Sequence, residues 1–175
     1  MILSGCATGK HLNKNTSSHL PDKKEAVSID YMDQSTWLLG YINVSQFKRF
    51  PHSEWYIRGY EAYKPDQEVL AKLKMIDQDP VSIQIVMGTW CPDSRREVPR
   101  FMKILTLWEF NIEKVTFIGV DNTKNAPVVG YEELGIERVP TFIILENKVE
   151  KGRIIENPVT SLEQDMLGIL TRNEK

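Results

Sequence analysis

The stretch Val81-Ser82-Ile83-Gln84-Ile85-Val86-Met87-Gly88-Thr89-Trp90-Cys91-Pro92-Asp93-Ser94 decides how this chain is read. Its first seven residues alternate and then run apolar, which predicts a strand buried on at least one face. Beyond Gly88 the period changes: Val98, Phe101, Met102, Leu105 and Trp108 recur at helical spacing, with Arg95, Arg96, Arg100 and Lys103 on the opposite side. A strand thus feeds an amphipathic helix through a short turn, and Cys91 stands in that turn. A cysteine at the first turn of a helix has unpaired backbone N–H groups and the positive end of the macrodipole beside its sulfur, and both favour the thiolate. Pro92 suits the helix entrance, where a missing N–H costs nothing. Asp93 opposes the positive potential. Arg95 and Arg96 add to it only where they point back, and on a solvated helix face they read mainly as a charge run.

Downstream, Val115 to Val120 reads as a second strand, Val139 to Leu145 as a third and Val149 to Ile155 as a fourth. The link Glu146-Asn147-Lys148 is short enough for a hairpin, so the last two strands should be antiparallel. A closing helix starts near Ser161, where Ser161 and Gln164 fit a capping box, and turns Leu162, Met166, Ile169 and Leu170 inward. The order strand, helix, strand, helical linker, strand, strand, helix predicts an α/β domain with a mixed sheet and helices on both faces. Upstream, Ser53 is placed to cap a helix carrying Trp55, Ile57, Tyr60 and Tyr63 that ends at Lys64-Pro65, and Asp66 to cap another with Val69, Leu70, Leu73 and Ile76. The aromatic residues Trp55, Tyr56, Tyr60 and Tyr63 read as core packing at that spacing. Residues 23–50 give a mixed signal around an apolar patch at Trp37, Leu38, Leu39, Tyr41 and Ile42. The organisation expected is a flexible tether over 1–22, a mostly helical extension packed on the core over 23–78, and the main domain over 79–175.

Composition removes several functions. The chain has 175 residues, with 22 Lys+Arg against 24 Asp+Glu and a net charge of -2, which argues against nucleic acid as a partner. With 41% hydrophobic and 26% charged residues it is globular rather than disordered. No run of about 18 apolar residues is present to span a membrane as a helix. Two cysteines cannot build a disulfide scaffold, and His11, His19 and His52 have no metal-ligand spacing, so neither metal nor cofactor is expected. Each cysteine must be explained singly.

Four features converge on one family. They are Trp90-Cys91-Pro92-Asp93-Ser94 at the strand-to-helix switch, Pro99 eight residues after Cys91, Val139-Pro140-Thr141 before the third strand, and the element order itself. Over residues 80–173 the chain resembles thioredoxin-fold proteins, most of all the extracytoplasmic, membrane-tethered thioredoxin-like proteins of bacteria. The resemblance implies a thioredoxin-like mixed central sheet flanked by helices, and thiol–disulfide exchange with Cys91 as nucleophile. It also implies a kink at Pro99, Trp90 as an apolar wall, and a cis Pro140. Val139 before that proline would then offer its backbone to an extended protein client. The family's second cysteine is replaced by Ser94. A second thiolate frees the substrate from a mixed disulfide, and a hydroxyl cannot. Ser94 can donate a hydrogen bond to the Cys91 thiolate, but release then needs an external thiol donor or the client's own second cysteine. Monothiol exchange, a non-catalytic binding module, and a dithiol reductase trapped by a Cys-to-Ser change all fit this motif. Ile85, with Gln84 beside it, stands where thioredoxins often bury an acid.

The second cysteine belongs to Leu3-Ser4-Gly5-Cys6, which resembles a lipoprotein lipobox, and the polar run from Ala7 to about Asp22 resembles the tether that follows one. Five residues precede Cys6, fewer than the charged start and apolar core of a signal peptide. This reading makes Cys6 a lipid attachment point and the protein a membrane-anchored lipoprotein on the periplasmic side.

Overall fold

Side chains alternate along Val81–Met87 (β2), and the alternation sorts the whole molecule into two layers. The computed structural model describes Met1 and residues 28–172; Cys6 and the expected tether lie outside the described residues. Ile83, Ile85 and Met87 enter a large apolar cluster, whereas Val86 enters a small one on the opposite face. The other strands are Gly40–Ile42 (β1), Val115–Gly119 (β3), Thr141–Glu146 (β4) and Val149–Ile155 (β5), and the sheet runs β1-β3-β2-β4-β5. β3 is parallel to β2, with Phe117 beside Ile85, and β4 is antiparallel to it, with Phe142 beside Ile85. β4 and β5 form the expected antiparallel hairpin. Its turn residues Asn147 and Lys148 both have positive φ (51° and 68°), the sense that matches the twist of the flanking strands.

Among the described residues four α-helices, Ser53–Ala62 (α1), Gln67–Leu73 (α2), Pro92–Trp108 (α3) and Leu162–Leu170 (α4), put most of their buried apolar residues into the large cluster. Val98, Phe101, Met102, Leu105 and Trp108 of α3 are all buried there, each such side chain contributing about 1.5–3 kcal/mol. Pro99 lies inside α3 against Gly59 of α1, where any Cβ would come within 2.7 Å of the proline ring. That glycine lets the two helices approach. Asp66 caps α2 by accepting from the Glu68 and Val69 N–H groups, and Ser161 caps α4 by accepting from Gln164 N–H. Gln164 does not complete the expected box. Instead Asp165 turns back to accept from the N–H groups of Val159 and Thr160. At α1 the cap is His52 rather than Ser53, and it makes no side-chain cap bond; the preceding turn starts the helix, with both His52 and Ser53 N–H donating to Arg49 C=O.

Two regions differ from the sequence reading. The helical linker between β3 and β4 is a single 3-10 turn, Tyr131–Leu134, bounded by Gly130 and Gly135 with φ of 74° and 56°, so the second face carries no α-helix among the described residues. The segment read as a mostly helical extension also supplies β1, which adds to the sheet edge with Ile42 opposite Phe117. A 3-10 turn over Val44–Lys48, capped reciprocally by Asn43 and Gln46, then carries Phe47 into the core. Three residues of strand are too short for a periodic signal, and pairing with β3 creates them.

Candidate functional site

Cys91 is the N-cap of α3, with Pro92 as the first helical residue. Its N–H donates to Gly88 C=O at 3.0 Å, which closes the turn out of β2. Its Sγ lies 3.3 Å from the carbonyl oxygen of Val139 and donates to it. The Val139–Pro140 peptide is cis. The loop that presents it is held on both sides, by Thr141 Oγ1 donating to Arg138 C=O at 2.6 Å and by Glu156 N–H donating to Pro140 C=O at 2.7 Å. Val86, Ile118, Val120 and Tyr131 complete the small apolar cluster around the sulfur, leaving Cys91 6% exposed. The end of a helix and the start of a strand thus meet at one thiol.

Trp90 donates its indole N–H to Val120 C=O at 2.9 Å and lies 6.4 Å, centroid to centroid, from Trp37. Gly88 is required beneath it, since a Cβ there would fall 2.5 Å from the indole. Asp93 is ion-paired with Arg96 at 2.7 Å, so its charge is largely compensated beside the sulfur.

Ser94 is fully buried, and the bond expected from it to Cys91 is not made. Its Oγ accepts from Gly88 N–H at 3.3 Å. One turn into α3, its side chain points back toward the helix start, where the unpaired donor at the end of β2 is the nearer demand. Ser94 therefore ties the turn to the strand. Ile85 belongs to the large cluster on the helical face, and Gln84 lies on the other face with a buried Oε1 that has no partner among the described residues.

Arg95 departs furthest from the sequence reading. Rather than standing on a solvated face, it points back, donating through Nη1 to Thr89 C=O at 2.9 Å and Trp90 C=O at 2.8 Å, with its guanidinium 4.2 Å over the Tyr31 ring. Burial lowers its pKa from the ordinary value, while Tyr31 and then Cys91 oppose that shift by their charge. The residues that hold it come from far upstream. Tyr31 donates to Pro51 C=O, Trp37 donates its indole N–H to Tyr31 C=O, Leu38 N–H donates to Thr89 Oγ1, and that hydroxyl donates to Thr36 C=O. Residues 31–38 lie across the Cys91 turn like a strap. The sequence marked an apolar patch at Trp37 and Leu38, but no spacing rule joins residues that far apart to the turn at 89–95. His52, also buried, is shifted down by burial and then by the Arg95 charge.

The structure resembles known folds at low identity. It superposes on the crystal structure of a protein of unknown function from Pseudomonas aeruginosa with a TM-score of 0.55 and 15% identity, covering 74% of this chain and 91% of that one. The crystal structure of an HIV epitope-scaffold gives a TM-score of 0.54 at 14% identity, covering 74% and 92%. Thioredoxin O2 from Arabidopsis thaliana gives 0.40 at 23% identity, covering 62% and 92%. No curated protein matches the sequence. The family model described as thioredoxin matches residues 45–166, a span that takes in α1, α2 and the Cys91 turn and begins well upstream of residue 80. With well over half of its length inside that match, and with a strand-to-helix cysteine facing the 139–140 loop, the chain belongs to the thioredoxin family.

Proposed function

We propose that the protein exchanges thiols and disulfides through one sulfur, that of Cys91. Family membership supports thiol–disulfide chemistry in general, with protein thiols as partners. The observation that carries the finer reading is the placement of Sγ at the N-cap of α3, 3.3 Å from the Val139 carbonyl, with a buried serine where a second thiol would stand. In the first step the Cys91 thiolate attacks one sulfur of a client disulfide; a new S–S bond forms, and the other client sulfur leaves as a thiolate and takes a proton from water. In the second, a thiol from outside, or the client's own second cysteine, attacks the mixed disulfide: attack on the client sulfur returns Cys91 as thiolate, whereas attack by an outside thiol on the Cys91 sulfur frees the client as a thiolate and leaves an S–S bond on Cys91 that a second outside thiol opens. Ser94 takes no part in this electron flow. Val139 and Pro140 supply the backbone against which an extended client lies, and Trp90 the adjoining apolar wall.

An insulin-reduction assay comparing the parent with Ser94→Cys tests the assignment. Activity in the parent at least equal to that of the variant supports the monothiol form as the working one. Activity only in Ser94→Cys means that the parent is a dithiol site interrupted at this position, and client capture by Cys91→Ala would leave a binding module instead. We also place the protein outside the cytoplasm, tethered through a lipid on Cys6, on the strength of Leu3-Ser4-Gly5-Cys6 and the polar run behind it. Among the described residues no helix is long and apolar enough to cross a membrane, so in this reading the lipid is the anchor. Incorporation of labelled fatty acid into the parent, lost in Cys6→Ala, is the expected result; recovery of the parent without lipid from the soluble fraction overturns it.

A further inference from the structure

Beside the Cys91 turn, α1 and the first three turns of α3 line an open cleft of about 370 Å³. Four arginines line it, Arg58, Arg95, Arg96 and Arg100, and Pro92, the residue after the nucleophile, forms part of its wall. Carboxylates offset three of the four. Glu54 lies 3.7 Å from Arg58; Asp93 pairs with Arg96; and buried Glu97 pairs with Arg96 at 2.6 Å and Arg100 at 3.1 Å. None of these carboxylates forms part of the cleft wall. Arg95 has no carboxylate partner among the described residues, only the carbonyls of Thr89 and Trp90 and the Tyr31 ring. The charged residues of the wall are therefore all cationic, with the buried Glu163 carboxylate behind Tyr63 accepting from its hydroxyl at 2.7 Å, and the N-terminal end of α3 adds positive potential. Trp90, Val139 and Pro140, which would face a protein client, are not among its walls. Its size suits a small molecule, and guanidinium forks match carboxylates in geometry as well as charge.

We infer that this cleft binds the carboxylates of a low-mass anionic thiol, the external donor that a monothiol site requires. The inference rests on Cys91 being the exchanging thiol, as proposed above. The donor's thiolate attacks the Cys91 sulfur of the mixed disulfide, an S–S bond forms between donor and Cys91, and the client leaves as a thiolate that water protonates. A second donor molecule then attacks the donor sulfur of that disulfide, giving the donor's own disulfide and the free Cys91 thiolate. Two donor thiols supply the two electrons that one client disulfide takes up.

The test uses the full chain with Cys6→Ala, so that Cys91 is the one thiol, loaded with a neutral 2-thiopyridyl group. Release of thiopyridone is followed with mercaptosuccinate, which carries two carboxylates, and with neutral 2-mercaptoethanol, and the ratio of the two rates is compared with that for the same group on an uncharged, unstructured cysteine peptide. The ratio is expected to be about tenfold higher on the protein, the size of one charge-assisted hydrogen bond. Arg58→Ala, an exposed position, is expected to lower it severalfold, and Lys72→Ala, an exposed charge on α2, to leave it in place. A ratio equal to the peptide's, or an equal loss in both variants, overturns the donor cleft while the Cys91 reading stands. Failure of Cys91 to take the thiopyridyl group in the native chain overturns both.

Discussion

On one face of the sheet, α1 to α4 close over Ile83, Ile85, Met87, Phe117, Phe142 and Ile144 in one continuous apolar cluster; on the other, Cys91 sits among Val86, Ile118, Val120, Tyr131 and Val139, covered by loop and a single 3-10 turn. The first face is thick because each helix brings a full stripe of side chains. The second is thin, and a sulfur placed there lies close to solvent while still held by neighbours on several sides. The main core and the surroundings of the thiol thus draw on different residues of the same strands: in β2 Ile85 faces the first and Val86 the second.

That division can be broken from either side. Cys91→Ala should have the largest effect on chemistry, removing all thiol adduct at position 91 by peptide mapping while shifting the unfolding midpoint little; retained exchange would place the chemistry elsewhere. Phe101→Ala, in the thick layer against Phe142 with ring centroids 4.4 Å apart, should cost about 3–5 kcal/mol in urea unfolding. The alkylation rate of Cys91 in the folded fraction should stay within about twofold of the parent's, a difference of less than 0.5 kcal/mol. Gly119→Ala acts between the two: a Cβ there overlaps the Leu38 carbonyl, so the strap must shift, at a cost of about 1–3 kcal/mol. Hydrogen exchange at the Leu38 amide, which donates to Thr89, should accelerate with it. The smallest effect concerns His52. Burial first, then the Arg95 charge, hold it below its ordinary value of 6.5, so as pH falls the unfolded chain takes up the proton before the folded one does. The stability from keeping it neutral is complete above pH 6.5 and is lost as pH falls through the lower folded value, and His52→Gln should flatten that part of the pH profile.

Much of the fold was legible because its signals are local. The bounds of β2 and β5, the β4–β5 hairpin, the Asp66 cap and the inward face of α3 all follow from side-chain period, turn residues or one side chain's reach to a nearby N–H. The position of Cys91 at a helix start was legible for the same reason. Less visible was the company it keeps. Arg95 and Arg96 are neighbours in one charge run, yet Arg95 turns back onto the carbonyls of residues 89 and 90 while Arg96 pairs with Asp93, Glu97 and Asn157. Tyr31 and the strap make that difference, and they are joined to the turn by contacts between residues far apart in the chain.

By itself, then, the sequence determined a strand that delivers one cysteine to a helix start, with a hydroxyl in place of a second thiol, since these depend on the residues within a few positions. Only the tertiary structure decided that Ser94 bonds to Gly88 rather than to Cys91, that β1 extends the sheet edge, and that four arginines of α1 and α3 line one cleft beside Pro92. The reason is physical: period and capping act over a turn or two of chain, whereas hydrogen-bond partners and surface charge are settled by which segments happen to pack together.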